Sequence, residues 1–115
     1  MAHDLLVGDT IKHRDQIGYF MDVFDHRPET LKLMSERKLQ GGGPTWKGLV
    51  TAALELESPS SIKALEFDDE ADALRVMSKS KHELQAAQSV VKRLISDRDF
   101  MVQCIARART EGILE

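Results

Sequence analysis

Leu39-Gln40-Gly41-Gly42-Gly43-Pro44-Thr45-Trp46-Lys47-Gly48-Leu49 is the stretch on which the reading of this chain turns. Three consecutive glycines stand before a proline and before the only tryptophan among 115 residues. Glycine reaches positive φ without steric penalty but loses much backbone freedom on folding, so three in a row point to a turn that needs them. Pro44 and Thr45 then mark a helix start, with Thr45 as the expected N-cap. Leu49, Val50, Ala53 and Leu54 follow Trp46 at the spacing of one helix face. Two readings fit these residues. One is a loop-to-helix junction with a core tryptophan; the other is a glycine loop and a half-exposed tryptophan that together form a recognition surface. No Gly-Lys-Ser/Thr follows the glycines and no G-x-G-x-x-G spacing occurs, so a nucleotide site is not expected.

On the N-terminal side, Leu5 to Ile11 and Ile17 to Phe24 read as two strands around a polar turn at Lys12-His13-Arg14-Asp15. Ile17, Tyr19, Met21 and Val23 fall on one face of the second strand, with Phe20 and Phe24 on the other. Two apolar faces predict a central strand covered on both sides. Gly8 and Asp9 weaken the first strand. Asp25-His26-Arg27 breaks the pattern, and Pro28 opens a short helix that ends before the glycines.

On the C-terminal side, Ser58 and Pro59 predict a short turn running to Leu65, with Ser58 as its N-cap. Leu65 and Phe67 alternate with Glu66 and Asp68, and Leu74 and Val76 with Arg75 and Met77, around Asp69-Glu70-Ala71-Asp72, the pattern of a β-hairpin spanning 65–78. Ser80 and Glu83 have capping-box spacing ahead of Leu84, Ala87, Val90, Val91, Leu94 and Ile95. Ser96-Asp97-Arg98-Asp99 either separates two helices or kinks one, and Gly112 is placed to close the last turn. The expected fold is α+β, one domain over residues 1–115. A small antiparallel sheet, built from an N-terminal hairpin and the 65–78 hairpin, packs with about four helices.

Composition narrows the function. The chain carries 16 Lys and Arg against 19 Asp and Glu, a net charge of −3, which disfavours nucleic acid as partner. No apolar run spans a bilayer, and residues 1–9 lack the features of a signal peptide. A lone cysteine predicts a reducing, cytoplasmic setting. Cys104 lies on an apolar helix stripe, which favours a structural thiol over a nucleophile. His3, His13, His26 and His82 show no metal-ligand spacing, so no metal and no other cofactor is expected. No serine sits in a nucleophile elbow. The chain is therefore read as a non-enzyme. Its most unusual charge feature is Glu66, Asp68, Asp69, Glu70 and Asp72, five carboxylates within seven residues. No glycine or terminal glutamate suits a calcium loop here. Either the run is a solvated turn or it meets a basic protein surface.

The order of glycine loop, tryptophan, amphipathic helix, acidic hairpin and C-terminal helix resembles bacterial polymorphic-toxin immunity proteins of immunity family 51. The matching residues are Gly41-Gly42-Gly43-Pro44-Thr45-Trp46 and Phe67-Asp68-Asp69-Glu70-Ala71-Asp72-Ala73-Leu74. The family pattern is Gly-Asn-Gly-Tyr-Asp-Trp. Here glycine replaces the Asn and Pro44-Thr45 replaces Tyr-Asp, so only the glycines and Trp46 carry over. The resemblance implies a non-enzymatic antidote that binds a cognate toxin. Gly41, Gly42, Gly43, Trp46, Glu66, Asp68, Asp69, Glu70 and Asp72 are then the expected partner-binding residues, facing a basic toxin surface. An adaptor or secretion chaperone that binds without inhibiting is the alternative, and a wet helix face or exposed strand leaves room for a homodimer.

Overall fold

The computed structural model describes residues 5–114. The chain runs as β1 (Leu6–Val7), β2 (Lys12–Arg14), β3 (Gly18–Asp25), α1 (Pro28–Glu36), α2 (Gly43–Glu57), a 3-10 helix (Pro59–Ala64), β4 (Glu66–Asp69), β5 (Leu74–Ser78), α3 (Lys81–Ser96) and α4 (Arg98–Thr110). This is the α+β single-sheet architecture expected from the sequence. All strand pairs are antiparallel: β1 and β2 both pair with β3, β3 pairs with β5, and β5 pairs with β4. The long β3 is central, and β4 forms one edge.

Of the predicted first strand, Leu5 to Ile11, only Leu6–Val7 is strand, and Lys12–Arg14 of the predicted polar turn forms the separate strand β2. Leu6 pairs with Asp25 while Lys12 pairs with Phe20, so the register slips by one residue between β1 and β2. Gly8 lies in this break, where a Cβ would come 2.6 Å from Ile95 Cδ1. The chain approaches α3 too closely for a side chain, and the ladder is interrupted there.

β3 is central but not covered by helices on both sides. Met21 and Val23 are fully buried with Leu74 and Val76 of β5 in one core with the apolar faces of the helices. Phe20, on the opposite face, is 3% exposed yet stands outside that core. The guanidinium groups of Arg14 and Arg75 cover its ring, 5.2 and 4.4 Å from the centroid. A solvated sheet face thus hides an aromatic ring under stacked arginines, a contact that suits the weakly hydrated guanidinium.

α2 is the hub of the helical layer. Nine of its fifteen residues are buried, including Trp46, Leu49, Val50, Ala53 and Leu54. α3 joins α2 against the sheet, and α4 packs on both helices through Phe100, Met101, Cys104, Ile105 and Ala108. Two helices, not one kinked helix, form the C-terminal part: Asp97 leaves the helical region and accepts from Phe100 N at 3.1 Å as the N-cap of α4. Ser80 caps α3 in the expected way, accepting from Glu83 N. Gly112, at φ 70°, follows α4, and Ile113 N reaches back to Ala108 O at 3.0 Å. Ile113 and Leu114 then lie against Gly48 of α2, where a Cβ would come 2.6 Å from Leu114 Cδ2.

Two capping expectations are corrected. α2 begins at Gly43 with Gly42 as N-cap, so Thr45 sits inside the first turn and its hydroxyl accepts from Gly41 N at 3.1 Å. Trp46 N already bonds to Gly42 O, which leaves Thr45 too late to cap. Ser58 meets the Ser61 hydroxyl at 2.8 Å instead of a backbone amide. α1 closes without glycine: Lys38 takes φ 61° and Leu39 N bonds to Met34 O at 2.8 Å.

Candidate functional site

The two stretches that carry the family resemblance lie in different parts of the sequence but touch in space. β4 and β5 are joined by the turn Glu70–Ala73, closed by Glu70 N donating to Ala73 O at 2.8 Å. That turn sits on the start of α2, where Gly43 N donates to Ala71 O at 3.4 Å. No side chain fits between them. A Cβ on Gly42 would stand 2.0 Å from Ala71 O, and one on Gly43 would stand 2.0 Å from Glu70 O and 2.5 Å from Ala73 O. The glycines are therefore required by backbone-to-backbone contact. Only Gly41 among the three needs positive φ, at 86°. The turn carbonyls also face the unpaired amide groups of the first helical turn, satisfying part of what an N-terminus leaves open.

This contact separates the expected site residues into two layers. Gly41, Gly42, Gly43 and Trp46 are buried, Trp46 completely. Its indole Nε1 has no protein acceptor among the described residues, so Trp46 is held by packing alone. Of the two readings of the glycine–tryptophan stretch, the junction with a core tryptophan is the one observed. Glu66, Asp68, Asp69, Glu70 and Asp72 are exposed above it. Asp69 leans toward the Lys47 ammonium at 3.8 Å, a half-exposed contact of little energetic weight. Glu66 and Asp68 occupy alternate positions on the edge strand, directly opposite Met77 and Arg75.

Glu66 and Asp68 form one margin of the open sheet face, whereas Asp69, opposite the buried Leu74, lies on the helix side near Lys47. Along the middle of that face Arg75 makes a two-pronged contact with Asp22, Nε to Oδ1 at 2.8 Å and Nη2 to Oδ2 at 3.1 Å. Hydrogen bonding to Asp22 holds the Arg75 guanidinium even more firmly charged than usual, against the opposing effect of burial, with further help from the charges of Asp22, Asp68 and Glu70. An open hollow of about 370 Å³ lies over Asp22, Phe24, Asp68, Glu70, Ala73 and Arg75. A larger one, about 610 Å³, lies at the other end of the face beside Gln16, Ile17, Glu66, Met77 and Lys79. The Ser78 hydroxyl in the larger hollow is already engaged, donating to Ala64 O and accepting from Ser80 N.

Sequence reasoning passed over a buried ionic cluster at the end of β3. Asp25 is 1% exposed. Its carboxylate accepts from Arg27 N, Arg27 Nε, Arg27 Nη2 and the Thr30 hydroxyl at 2.6–3.1 Å. Arg27 Nη2 also donates to Ile95 O at 3.2 Å. Burial pushes the Asp25 carboxyl up, but hydrogen bonds from Arg27 and Thr30, with the Arg27 charge, outweigh it and hold the group below its ordinary value. The cluster staples the β3–α1 corner to the end of α3. An acidic residue at an inward-facing strand position just before a proline-led helix was the available signal. Because the folded-state carboxyl is depressed, its contribution is fully present above the unfolded value near 3.8 and is lost as pH falls through the folded value. We expect a urea midpoint that is steady above about pH 5 and falls on acidification. The Asp25→Asn variant should be less stable at neutral pH and flatter below it. Equal acid sensitivity in the two proteins would remove Asp25 as the cause.

Cys104 is fully buried, and desolvation pushes its thiol up to about 11 against the pull of Arg93 and Arg107, which keeps it protonated and unreactive. Among the described residues no group of three His, Cys, Asp or Glu side chains is placed to hold a metal ion; His3 lies outside those residues. No helix among the described residues is long and apolar enough to cross a membrane.

Comparison with curated proteins and with solved structures returned no match. A family model described as Immunity protein 51 matches residues 9–110, a span that runs from the break between β1 and β2 to the last residue of α4. It contains both stretches that meet at the start of α2, and it bears out the resemblance read from them. The chain belongs to the immunity protein 51 family.

Proposed function

We propose that this protein is a non-enzymatic antidote that binds a cognate bacterial toxin and neutralises it by occluding the toxin's active site. Membership of the immunity protein 51 family is the observation that carries the reading. The acidic hairpin supplies the contact: Glu66, Asp68 and Asp69 of the edge strand β4, with Glu70 and Asp72 of the turn seated on the start of α2, meet a basic surface on the toxin. Charge complementarity of this kind raises association rate and selectivity. The buried Gly41, Gly42, Gly43 and Trp46 serve the same contact from beneath, by fixing where the hairpin stands. The setting is the cytoplasm of the toxin-producing cell, where the antidote would meet toxin before harm is done.

The deciding experiment is co-expression with the product of the neighbouring gene, scored for growth and for co-purification, followed by toxin activity in the isolated complex. Restored growth with an inactive complex supports the antidote. An intact activity within the complex would instead make the protein an adaptor or secretion chaperone. The surface role has its own test. Reversal of Asp69 and Glu70 to lysine should leave the unfolding free energy within about 0.5 kcal/mol of wild type, as for ordinary exposed sites, while weakening toxin binding at least tenfold. Unchanged affinity would reduce the hairpin tip to a solvated turn.

A further inference from the structure

The open face of the sheet is patterned so that it complements itself. Residues directly opposite one another on neighbouring strands lie on the same face. Lys12 is opposite Phe20, Phe20 is opposite Met77, and Met77 is opposite Glu66. One row across four strands therefore reads Lys12, Phe20, Met77, Glu66: a cation, two apolar side chains and an anion. The next row toward the hairpin turn carries Asp22, Arg75 and Asp68. Lys12, Glu66 and Asp68 are exposed, and Met77, Asp22 and Arg75 are partly exposed.

We propose that this face docks a second copy of the chain, sheet against sheet, about a two-fold axis parallel to the strands. Rotation about such an axis reverses the order across the sheet and leaves height along the strands unchanged. Lys12 of one copy then stands over Glu66 of the second, the guanidinium planes covering Phe20 over Met77, and Asp22 over Arg75. Each contact occurs twice, as an isologous interface demands. The other simple two-fold arrangement, with the axis across the strands, sets the Lys12 side of one copy over the Lys12 side of the other and the acidic edge over the acidic edge. Charge selects the first. The alternation itself points the same way: the solvated face of an antiparallel sheet is ordinarily polar, whereas this one carries Val7, Phe24 and Met77 partly exposed and Phe20 under two guanidinium planes. Arg75 is weakly hydrated and already paired with Asp22, so covering the middle of that row leaves neither charge unpaired, while Asp68 stays at the exposed edge strand.

The size of the face sets the strength. Four strands about 4.8 Å apart and five residues at about 3.4 Å each give a footprint of only about 300 Å² per copy. That is smaller than a standard specific interface, about 800 Å² per partner, so the dimer is weak, transient and formed only at high protein concentration. This association does not depend on the toxin and is tested without it.

Sedimentation velocity on the full chain, from about 10 μM to 1 mM, should show a concentration-dependent monomer–dimer equilibrium. Lys12→Glu and Glu66→Lys should each weaken dimerisation at least tenfold, because each places like charges face to face twice. Mixing the two variants should restore a dimer. The carboxylate introduced at position 12 of the first variant then meets the ammonium introduced at position 66 of the second, and the native Glu66 of the first meets the native Lys12 of the second. The double variant should also dimerise with itself. Both positions are exposed, and matching urea midpoints would show that folding is unaffected. A wild-type chain that stays monomeric throughout, a dimer indifferent to either reversal, or a mixture that fails to recover would each overturn the proposal.

Discussion

Trp46→Ala is expected to cost about 3–5 kcal/mol, the range for truncating a large aromatic side chain in a core. Trp46 has no exposed surface and opens the buried face of α2, the helix on which the sheet, α3 and α4 all rest. Replacement by alanine removes most of that buried side chain and leaves a cavity that the surrounding elements close only in part. The cost depends on packing and not on a hydrogen bond, because the indole Nε1 has no protein acceptor among the described residues. Trp46→Phe should therefore lose much less, since an aromatic ring of smaller volume keeps most of the apolar contact. Against a typical domain stability of about 5–15 kcal/mol, the alanine variant would have a large fraction of its margin removed. Urea unfolding of the three proteins, with toxin affinity measured on each, decides the matter. A Trp46→Ala protein that unfolds like wild type yet fails to bind toxin would make the tryptophan a contact residue and defeat the core assignment.

What could be read in the sequence followed periodicity and capping chemistry. α3 was legible from its 3.6-residue apolar repeat and the Ser80–Glu83 pair, and the β4–β5 hairpin from its alternation around the acidic turn Asp69-Glu70-Ala71-Asp72. What escaped was set by tertiary contact. Lys12–Arg14 is polar and exposed, so nothing in its composition marked it as strand; it is one because the edge of β3 offers a ladder. The aromatic residues on both sides of β3 suggested two apolar layers, but arginines from β2 and β5 supply the second cover. No single-chain pattern announces that two guanidinium groups will converge on Phe20 from neighbouring strands. The glycine run was conspicuous in the sequence, yet its reason was not. Its partner is the backbone of a turn almost thirty residues further on, and backbone carbonyls leave no trace in side-chain composition.

That reason makes a second strong expectation. Gly43→Ala should destabilise by about 3 kcal/mol, at the upper end of overpacking costs. The added methyl would stand 2.0 Å from Glu70 O, 2.5 Å from Ala73 O and 2.8 Å from Glu70 N. All three are main-chain atoms of the closed turn, so no side-chain rotation relieves the clash. Either the turn lifts from α2 or the start of α2 unwinds, and both sacrifice the Gly43 N to Ala71 O bond. Backbone conformation is not the cause, because Gly43 is the first residue of α2 and adopts no positive φ. Two other glycines separate the effects. Gly41→Ala would meet only ordinary contacts, the nearest at 3.6 Å, but at φ 86°; Gly112→Ala would meet nothing within 4 Å at φ 70°. Each should cost about 1–2 kcal/mol, the penalty of left-handed backbone alone. The readouts are urea unfolding and hydrogen exchange at the Glu70 amide, which the turn protects through its bond to Ala73 O. Gly43→Ala should lower the urea midpoint and the protection of the Glu70 amide, whose exchange should accelerate more than at core amides of β3, because the turn opens locally before the sheet does. If Gly43→Ala instead proves no costlier than Gly112→Ala and leaves Glu70 protected, the glycines do not hold the hairpin, and the position of the acidic residues must be fixed by β5 alone.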